Sequence, residues 1–254
     1  MKRLFCLLLL TLTWPALAQE TLRVDFRERP PEMYRVDGAP GGPLVVVLET
    51  AAQRLGIALQ WREAPFLRSL DDLRSGRIDL VPRVLMTEER QTYVHFFPSI
   101  GNQALDIRFV VHPGHEADLD QYGDLYRLAV GVKRGTAYFE PFDSDRKLNR
   151  VYASDDAQLA AMFRAGRLDA IAVLDQQPME TQFSTLAFHD FSYAHYVHRQ
   201  VLGNHFGASL KRYRSGRQAL YNRLASELEQ MREDGEIALI YRRHGVAAPD
   251  SANP

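Results

Sequence analysis

The residues of this chain best suited to bind a ligand are arginines, and Arg90 has the most informative surroundings. Thr87 stands three residues earlier, and its hydroxyl is suited to cap a short helix with Arg90 in the first turn. The planar guanidinium group of an arginine can bind a carboxylate through two parallel hydrogen bonds. The local sequence also allows Arg90 to be a surface residue paired with Glu88 or Glu89, and taken alone it favours that interpretation.

Other kinds of chemistry find little support in the sequence. The only cysteine, Cys6, lies in the N-terminal apolar run, so the remaining chain offers no thiolate nucleophile. The sequence has no Gly-rich phosphate loop and no G-x-S-x-G motif. His189, His195 and His198 lack the spacing of a compact metal-binding pair, and the aromatic residues among them indicate a strand or loop. We therefore predict no catalytic residue, no metal site and no cofactor.

The N-terminus has the three parts of a secretory signal peptide. Lys2 and Arg3 are basic, the run 4–14 is apolar, and Ala16-Leu17-Ala18 is a small-x-small cleavage pattern. The apolar run is shorter than the roughly 20 residues needed to cross a bilayer, which argues against the alternative of an uncleaved anchor. We expect a signal peptide at residues 1–18 and a periplasmic location for the mature protein.

The balance of charge gives no reason to expect a nucleic acid or an anionic membrane as a partner. The chain has 31 Lys and Arg residues against 32 Asp and Glu residues, which is a formal net charge of −1. Loss of Lys2 and Arg3 with the signal peptide would make the mature chain more acidic. We expect a monomer whose partner is a small molecule.

The apolar patterning after residue 18 predicts two α/β units in series. In the first unit we expect strands at 22–26, 57–61 and 78–81, and helices at 44–55 and 66–74. Alternating strands and helices favour a parallel sheet with right-handed crossovers.

The second unit repeats this alternation, and an amphipathic segment follows it. The pattern predicts strands at 107–111, 128–132 and 168–174, a helix at 156–164, and a long helix at 215–243 that could break at Gly235.

Three motifs in the first unit are distinctive in their order: Ser75-Gly76-Arg77-Ile78-Asp79-Leu80, Met86-Thr87-Glu88-Glu89-Arg90 and Phe96-Phe97-Pro98. Three later segments follow: Gly131-Val132 with Gly135-Thr136, Ala165-Gly166-Arg167-Leu168-Asp169-Ala170, and Met231-Arg232-Glu233-Asp234-Gly235-Glu236-Ile237. Together they resemble bacterial solute-binding proteins of family 3, the binding components of polar amino-acid ABC importers. The ordered set covers almost the whole mature chain and is far more specific than any single motif.

The resemblance implies the two-lobed type II periplasmic binding protein fold, an α/β fold. Each lobe would contain a mixed sheet dominated by parallel strands, and two hinge strands would join the lobes. Lobe one would comprise residues 20–109 and 203–254, and lobe two residues 113–198, with hinges near 109–113 and 198–203. A ligand in the cleft would shift an equilibrium between open and closed forms.

The resemblance also implies a binding role for several residues. Arg90 would clamp the α-carboxylate of the ligand. Asp175 would bind its ammonium group, although Asp175 is also suited to cap a helix before Pro178. Phe66 would pack either on the ligand side chain or in the core. Thr136 would either donate to the carboxylate or occupy an ordinary turn.

Three positions depart from the pattern of the family. Leu85 stands where the family usually has a small or hydroxylated donor, so only its backbone could bind. Arg83 could bring a second positive charge to the cleft or point into solvent. Arg29 stands where the family often places an aromatic residue. Several arginines at one mouth would suit a more acidic ligand than an ordinary amino acid.

These observations predict a periplasmic binding protein. It would capture an amino acid or a related carboxylate by cleft closure and deliver it to the membrane permease of an ABC importer. The same chain could instead be a receptor for a membrane signalling partner. A third alternative is a dehydratase acting on cyclohexadienyl acids, which would need a general acid in the cleft.

Overall fold

The computed structural model describes residues 19–250, so the predicted signal peptide lies outside the described residues. The described strands are, in chain order, β1 (Thr21–Phe26), β2 (Tyr34–Val36), β3 (Ala39–Gly41), β4 (Ala58–Glu63), β5 (Leu80–Val81), β6 (Val94–Phe96), β7 (Asn102–Val111), β8 (Ala129–Lys133), β9 (Asn149–Ala153), β10 (Ala170–Val173), β11 (Ser192–Gly203) and β12 (Gly207–Ser209). The described α-helices are α1 (Pro43–Arg54), α2 (Phe66–Ser75), α3 (Glu88–Gln91), α4 (Asp156–Arg164), α5 (Gln176–Thr185), α6 (Leu210–Arg212), α7 (Gln218–Glu233) and α8 (Glu236–Arg243).

The first sheet has the strand order β4-β1-β5-β12-β6, and only β12 runs against the other four strands. The apolar stripe of α1 is buried, as its spacing predicts, and includes Leu44, Val47 and Leu48. This helix packs beside α7 and α8, whose Tyr221 and Tyr241 are fully buried in the same core. The first α/β unit therefore includes the C-terminal helices as well as the N-terminal strands.

The second sheet has the strand order β11-β7-β10-β8-β9, and only β7 runs against the other four strands. Alternate residues of β7 enter different cores, with Phe109 on one face and Val110 on the other. Helices α4 and α5 cover the second of these faces through Phe163 and Phe183. The predicted α/β class with parallel-dominated sheets is confirmed.

Two long antiparallel strands, β7 and β11, form one edge of the second sheet and connect it with the first. Strand β7 begins at Asn102, earlier than the expected 107–111, because pairing with β11 continues through residues 102–106, which show no regular apolar pattern. The chain returns to the first sheet after Gly203, where β12 begins at Gly207. The lobe boundaries near 109–113 and 198–203 stay a prediction.

The long C-terminal helix expected at 215–243 is divided into two. Helix α7 begins at Gln218, because Gly216 has a left-handed φ of 108° and interrupts the helical backbone before it. Gly235, with a φ of 73°, ends this segment and precedes α8. No helix within residues 19–250 is both long and apolar enough to cross a membrane.

Candidate functional site

A cleft of about 750 Å³ lies between the two sheets. Each sheet contributes residues that come directly after its parallel strands. The first contributes residues after β1, β4 and β5, and the second contributes residues after β8, β9 and β10. The carboxyl ends of parallel strands are the usual place for a ligand in α/β folds, because the connecting loops leave a crevice there. The fold therefore makes this cleft the candidate ligand-binding site.

The structure brings all seven residues singled out in the sequence to the walls of this cleft. They are Arg29, Phe66, Arg83, Leu85, Arg90, Thr136 and Asp175. They come from five segments, three in the first unit and two in the second, so the fold rather than the local sequence assembles them. Their roles in binding stay predictions.

Arg90 is buried, with only 5% of its surface exposed. Its backbone N–H donates to the Thr87 hydroxyl at 3.2 Å, which is the helix cap that the sequence predicts. The guanidinium donates to the carbonyl oxygens of Leu85 at 2.9 Å and Gly135 at 3.0 Å. Burial lowers the pKa of Arg90, because its positive charge has lost contact with water. Among the described residues Arg90 makes no ion pair, so the surface pairing with neighbouring glutamates that the local sequence favours is wrong.

Arg27 is the main cleft residue that the sequence reasoning missed. Its guanidinium donates to the carbonyl oxygens of Pro82 at 3.3 Å and Arg83 at 2.8 Å. Burial, together with the nearby positive charges of Arg29, Arg83 and Arg90, lowers the pKa of Arg27 to about 9. Its position directly after β1, an interior strand of the first sheet, is the signal that could have found it.

Phe66, at the start of α2, lines the cleft and lies beside two arginines. The Arg27 Cζ atom lies 4.1 Å from the ring centroid, and the Arg90 Cζ atom lies 5.4 Å from it. Such contacts stabilise a cation through the electron-rich face of the ring. The ring also packs against a small core that includes Leu70 and Leu73. Phe66 thereby holds two guanidinium groups side by side at the cleft.

Asp175 makes an ion pair with Arg29 across the cleft. The Arg29 Nη2 atom lies 3.0 Å from one carboxylate oxygen of Asp175 and donates to the other at 3.3 Å. Asp175 occupies the capping position of α5, but its side chain makes no capping hydrogen bond there. The Asp175 carboxylate is therefore engaged by the opposite unit rather than by its own helix.

Arg83 lies in a network beneath the cleft rather than in solvent. Its Nη1 atom donates to the buried carboxylate of Glu32 at 2.9 Å, and it also contacts Gln103. Glu32 accepts further hydrogen bonds from Asn204 at 3.2 Å and from Tyr241 at 3.3 Å. Burial and the charge of Glu32 raise the pKa of Tyr241, which keeps its hydroxyl protonated as a donor. This network fixes the base of the cleft.

The remaining predicted residues contribute mainly through the backbone. The carbonyl oxygen of Leu85 accepts from Arg90, so this residue orients an arginine, and ligand binding by its backbone N–H stays a prediction. The backbone N–H of Thr136 donates to Lys133 at 3.1 Å in the turn that contains Gly135, and the Thr136 side chain lines the cleft. Thr136 therefore lies in a turn at the cleft wall, and its role as a donor to a ligand stays a prediction.

Positive charge dominates the walls of the cleft. The cationic residues that line it are Arg27, Arg29, Arg83, Arg90, Lys133 and Arg134. Carboxylates neutralise only some of them. Arg29 pairs with Asp175, Arg83 with Glu32, and Lys133 with Asp156 at 2.7 Å. Arg27, Arg90 and Arg134 make no ion pair among residues 19–250. A cleft of this kind attracts an anion.

The three histidines considered for metal binding are His189, His195 and His198. Within residues 19–250, no group of three or more His, Cys, Asp or Glu side chains is placed to hold a metal ion. His198 stacks on Phe139 with ring centroids 3.7 Å apart, and His195 lies 3.7 Å from Asp120. His195 and His198 belong to β11, in keeping with the strand or loop expected there.

Two α/β units with a ligand-sized cleft at the carboxyl ends of their strands define a two-lobed binding protein of the type II periplasmic class. The model of the bacterial extracellular solute-binding proteins, family 3, matches residues 22–247. The chain therefore belongs to this family, as the ordered motifs indicate. Membership implies a periplasmic or extracellular location.

Individual relatives are distant in sequence. The probable amino-acid-binding protein YxeM of Bacillus subtilis (strain 168) is 26% identical over 148 residues, which are 55% of this chain and 53% of the relative. The match thus spans about half the length of this curated relative.

Solved structures extend the similarity to nearly the whole chain. A histidine kinase sensor domain with similarity to periplasmic binding proteins has a TM-score of 0.68 at 18% identity, covering 91% of this chain and 98% of its own. An ancestral arginine-binding protein bound to arginine has a TM-score of 0.66 at 21% identity, with coverages of 88% and 97%. At these identities the two structures show the fold alone.

Proposed function

We propose that this protein is an exported solute-binding protein that captures a small carboxylate-bearing ligand, an amino acid or a related carboxylate, and delivers it to the permease of an ABC importer. The observation that carries this proposal is the pair of guanidinium groups of Arg27 and Arg90, which lie on Phe66 in the cleft without a carboxylate partner among residues 19–250. A carboxylate is the group that best complements a guanidinium fork.

Both arginines keep hydrogen-bonding capacity for a ligand. A guanidinium has five N–H donors. In both Arg27 and Arg90, Nη1 and Nη2 each donate one hydrogen bond to a backbone carbonyl oxygen. These bonds hold each group in place, and the unused N–H groups remain for an anion. Because these donors are already held in position, ligand binding costs less side-chain entropy.

Contacts between the two units support capture by closure. Arg90 donates to Gly135, and Arg29 pairs with Asp175, so two polar links cross the cleft. A ligand that touches both walls would add further links and would favour the closed form over the open one.

The state of the cleft carboxylates supports binding without chemistry. Glu28 pairs with Arg35 outside the cleft, while Asp156 and Asp175 pair with cations inside it. A carboxylate whose oxygens already accept from a cationic side chain is poorly placed to act as a general acid on a ligand. The dehydratase alternative therefore has no candidate among these three lining residues.

A thermal-shift screen tests the proposal with three panels: amino acids, dicarboxylates and polyamines. A ligand from the first two panels should stabilise the protein by about 2.7 kcal/mol at a hundredfold excess over its Kd. Polyamines should give no shift, because the cleft is already positive. Stabilisation by polyamines alone, or by no carboxylate at all, would refute the proposal. Turnover of prephenate or arogenate would favour the enzymatic alternative.

Transport needs a separate test. Cells that lack this protein should take up the identified ligand more slowly than cells that carry it, and a plasmid copy should restore uptake. Unchanged uptake would contradict delivery to an importer, even where binding is established.

A further inference from the structure

The Asp175 carboxylate, the group expected to bind a ligand's ammonium, already has a cationic partner. Arg29 reaches it from the opposite wall at 3.0 Å, with 23% of the Arg29 side chain and 41% of the Asp175 side chain exposed. We infer that the cleft takes a small dicarboxylate that lacks an ammonium group. This ligand class rests on the proposed function and names the solute of the same site.

Replacement of Arg29 by a ligand ammonium group would be unfavourable. The Arg29 guanidinium would lose Asp175 and would keep only Glu32, whose nearest oxygen is 3.9 Å away and which already accepts from Arg83. The free energy lost by leaving the Arg29 charge unpaired in a partly buried site would exceed the free energy gained by pairing Asp175 with the ammonium group. An ammonium group is therefore a poor competitor for Asp175.

The other lining carboxylates offer no substitute. Asp156 holds Lys133 through both carboxylate oxygens, at 2.9 Å and 2.7 Å. Glu28 turns outward to Arg35. An ammonium group in this cleft would consequently meet arginines and lysine without a free carboxylate, and like charges in a desolvated site repel.

The surplus of positive charge favours two acidic groups over one. A zwitterionic amino acid with a neutral side chain adds no net charge, whereas a dicarboxylate adds two negative charges. Arg27 and Arg90 provide one anion site beside Phe66. Arg134 and the Thr136 hydroxyl line the opposite wall and make no side-chain hydrogen bond or ion pair among residues 19–250. A ligand with a carboxylate at each end would link the two walls.

Isothermal titration with matched ligands tests this inference. Succinate and L-aspartate differ by one ammonium group, as do glutarate and L-glutamate. In at least one pair the dicarboxylate should bind about tenfold more tightly than its amino counterpart. Tighter binding of the amino acids, or of L-glutamine or L-arginine, would overturn the inference and leave the proposed function standing. Absence of binding to every carboxylate would overturn both.

Two variants isolate the role of the ion pair. Arg29→Met releases Asp175, so it should narrow the dicarboxylate preference by about tenfold. The control Arg54→Met removes an arginine that pairs with Glu227 and Glu236, and none of these three residues lines the cleft, so it should leave the preference unchanged. An unchanged preference in Arg29→Met would overturn the inference.

A second variant covers the case in which Arg29→Met does not fold. Asp175→Asn removes a negative charge and frees Arg29, so dicarboxylate affinity should stay equal or rise. A ligand held through its ammonium group would instead bind about tenfold more weakly. A loss of dicarboxylate affinity in Asp175→Asn would therefore contradict the inference.

Discussion

The Nη2 atom of Arg90 donates a hydrogen bond to the carbonyl oxygen of Gly135 at 3.0 Å, and this bond joins the two walls of the cleft. Arg90 follows β5 of the first sheet, and Gly135 follows β8 of the second. Arg90, which we propose to bind the carboxylate of the ligand, thus also links the two units. Ligand affinity and closure should therefore respond together when either residue is changed.

Arg90→Ala should weaken ligand binding by at least about tenfold, because hydrogen bonds to a charged group contribute about 1.5–3 kcal/mol. Arg90→Lys should retain part of the affinity, since it keeps the charge and loses the planar fork. Isothermal titration measures both. The control is Arg74→Ala, because Arg74 is also an arginine over an aromatic ring, with its Cζ atom 4.1 Å from the Tyr93 ring centroid, but it does not line the cleft. Equal affinity in Arg90→Ala and the wild type would refute the assignment.

Gly135→Ala should weaken ligand binding by impeding closure. A Cβ atom at this position would overlap the side chain of Leu67, which comes from the opposite unit, and the φ of +74° is itself strained for alanine. Gly114→Ala is the matched control. Its φ is +86° and its Cβ atom would meet nothing within 4 Å. Both variants should lose about 1 kcal/mol of folding stability through strain, but only Gly135→Ala should lose affinity.

Small-angle scattering and titration separate these effects. Gly135→Ala should show a larger radius of gyration than Gly114→Ala in the presence of ligand. Leu67→Ala in the Gly135→Ala background should recover part of the affinity, because it removes the overlapping side chain. Equal affinities for the two glycine variants would contradict a role of this contact in closure.

Periodicity in the sequence predicts the elements that carry an apolar stripe, and it misses those that depend on pairing. The stripe of α1 and the break at Gly235 are both present in the structure. The first half of β7 mixes polar and apolar residues without a pattern, and it becomes a strand because β11 pairs with it. No local pattern contains that information, since the partner residues are about a hundred positions away along the chain.

The same limit applies to the site. The family motifs point to Arg90 and Asp175, and the fold places both on the cleft. The ion pair between Arg29 and Asp175 joins residues 146 positions apart, so neither local sequence could indicate it. Arg27 carries no motif of its own, and its importance arises from its contact with Phe66 in three dimensions.

Asp79→Asn should destabilise the fold far more than the equivalent change Asp169→Asn. The two aspartates are the fifth residues of the similar motifs that begin at Ser75 and Ala165. Each exchanges two hydrogen bonds with the backbone of a neighbouring strand, Asp79 with Arg23 and Asp169 with Ala129. Asp79 is fully buried and also binds Arg212 at 2.7 Å and the Tyr221 hydroxyl at 2.8 Å.

The expected loss of unfolding free energy is about 3 kcal/mol for Asp79→Asn, because it leaves an arginine without its buried partner. The exposed Asp169 should lose about 1 kcal/mol, the value of an ordinary hydrogen bond. Urea denaturation measures the two changes under one condition. Losses of equal size would mean that the backbone exchange, which the two aspartates share, carries the whole effect.

Asp143 should make folding stability depend on pH. Burial raises the pKa of this carboxyl from 3.8 to about 6, although the backbone N–H of Tyr138 donates to it at 2.8 Å. Between these two pH values the folded protein holds a proton that the unfolded chain releases. The stability that Asp143 contributes is therefore complete below about pH 4 and decreases as the pH rises through 6.

Asp143→Asn cannot titrate, so the difference in unfolding free energy between wild type and variant isolates this group. That difference should fall between pH 4 and pH 7 and then stay constant. Partly buried histidines such as His198 and His205, whose pKa burial lowers, act in the opposite direction, but their contribution cancels because both proteins contain them. Urea denaturation at several pH values gives the curve. A difference that stays flat or rises with pH would show that Asp143 remains ionised in the folded protein, and that the hydrogen bond from Tyr138 outweighs the loss of solvent.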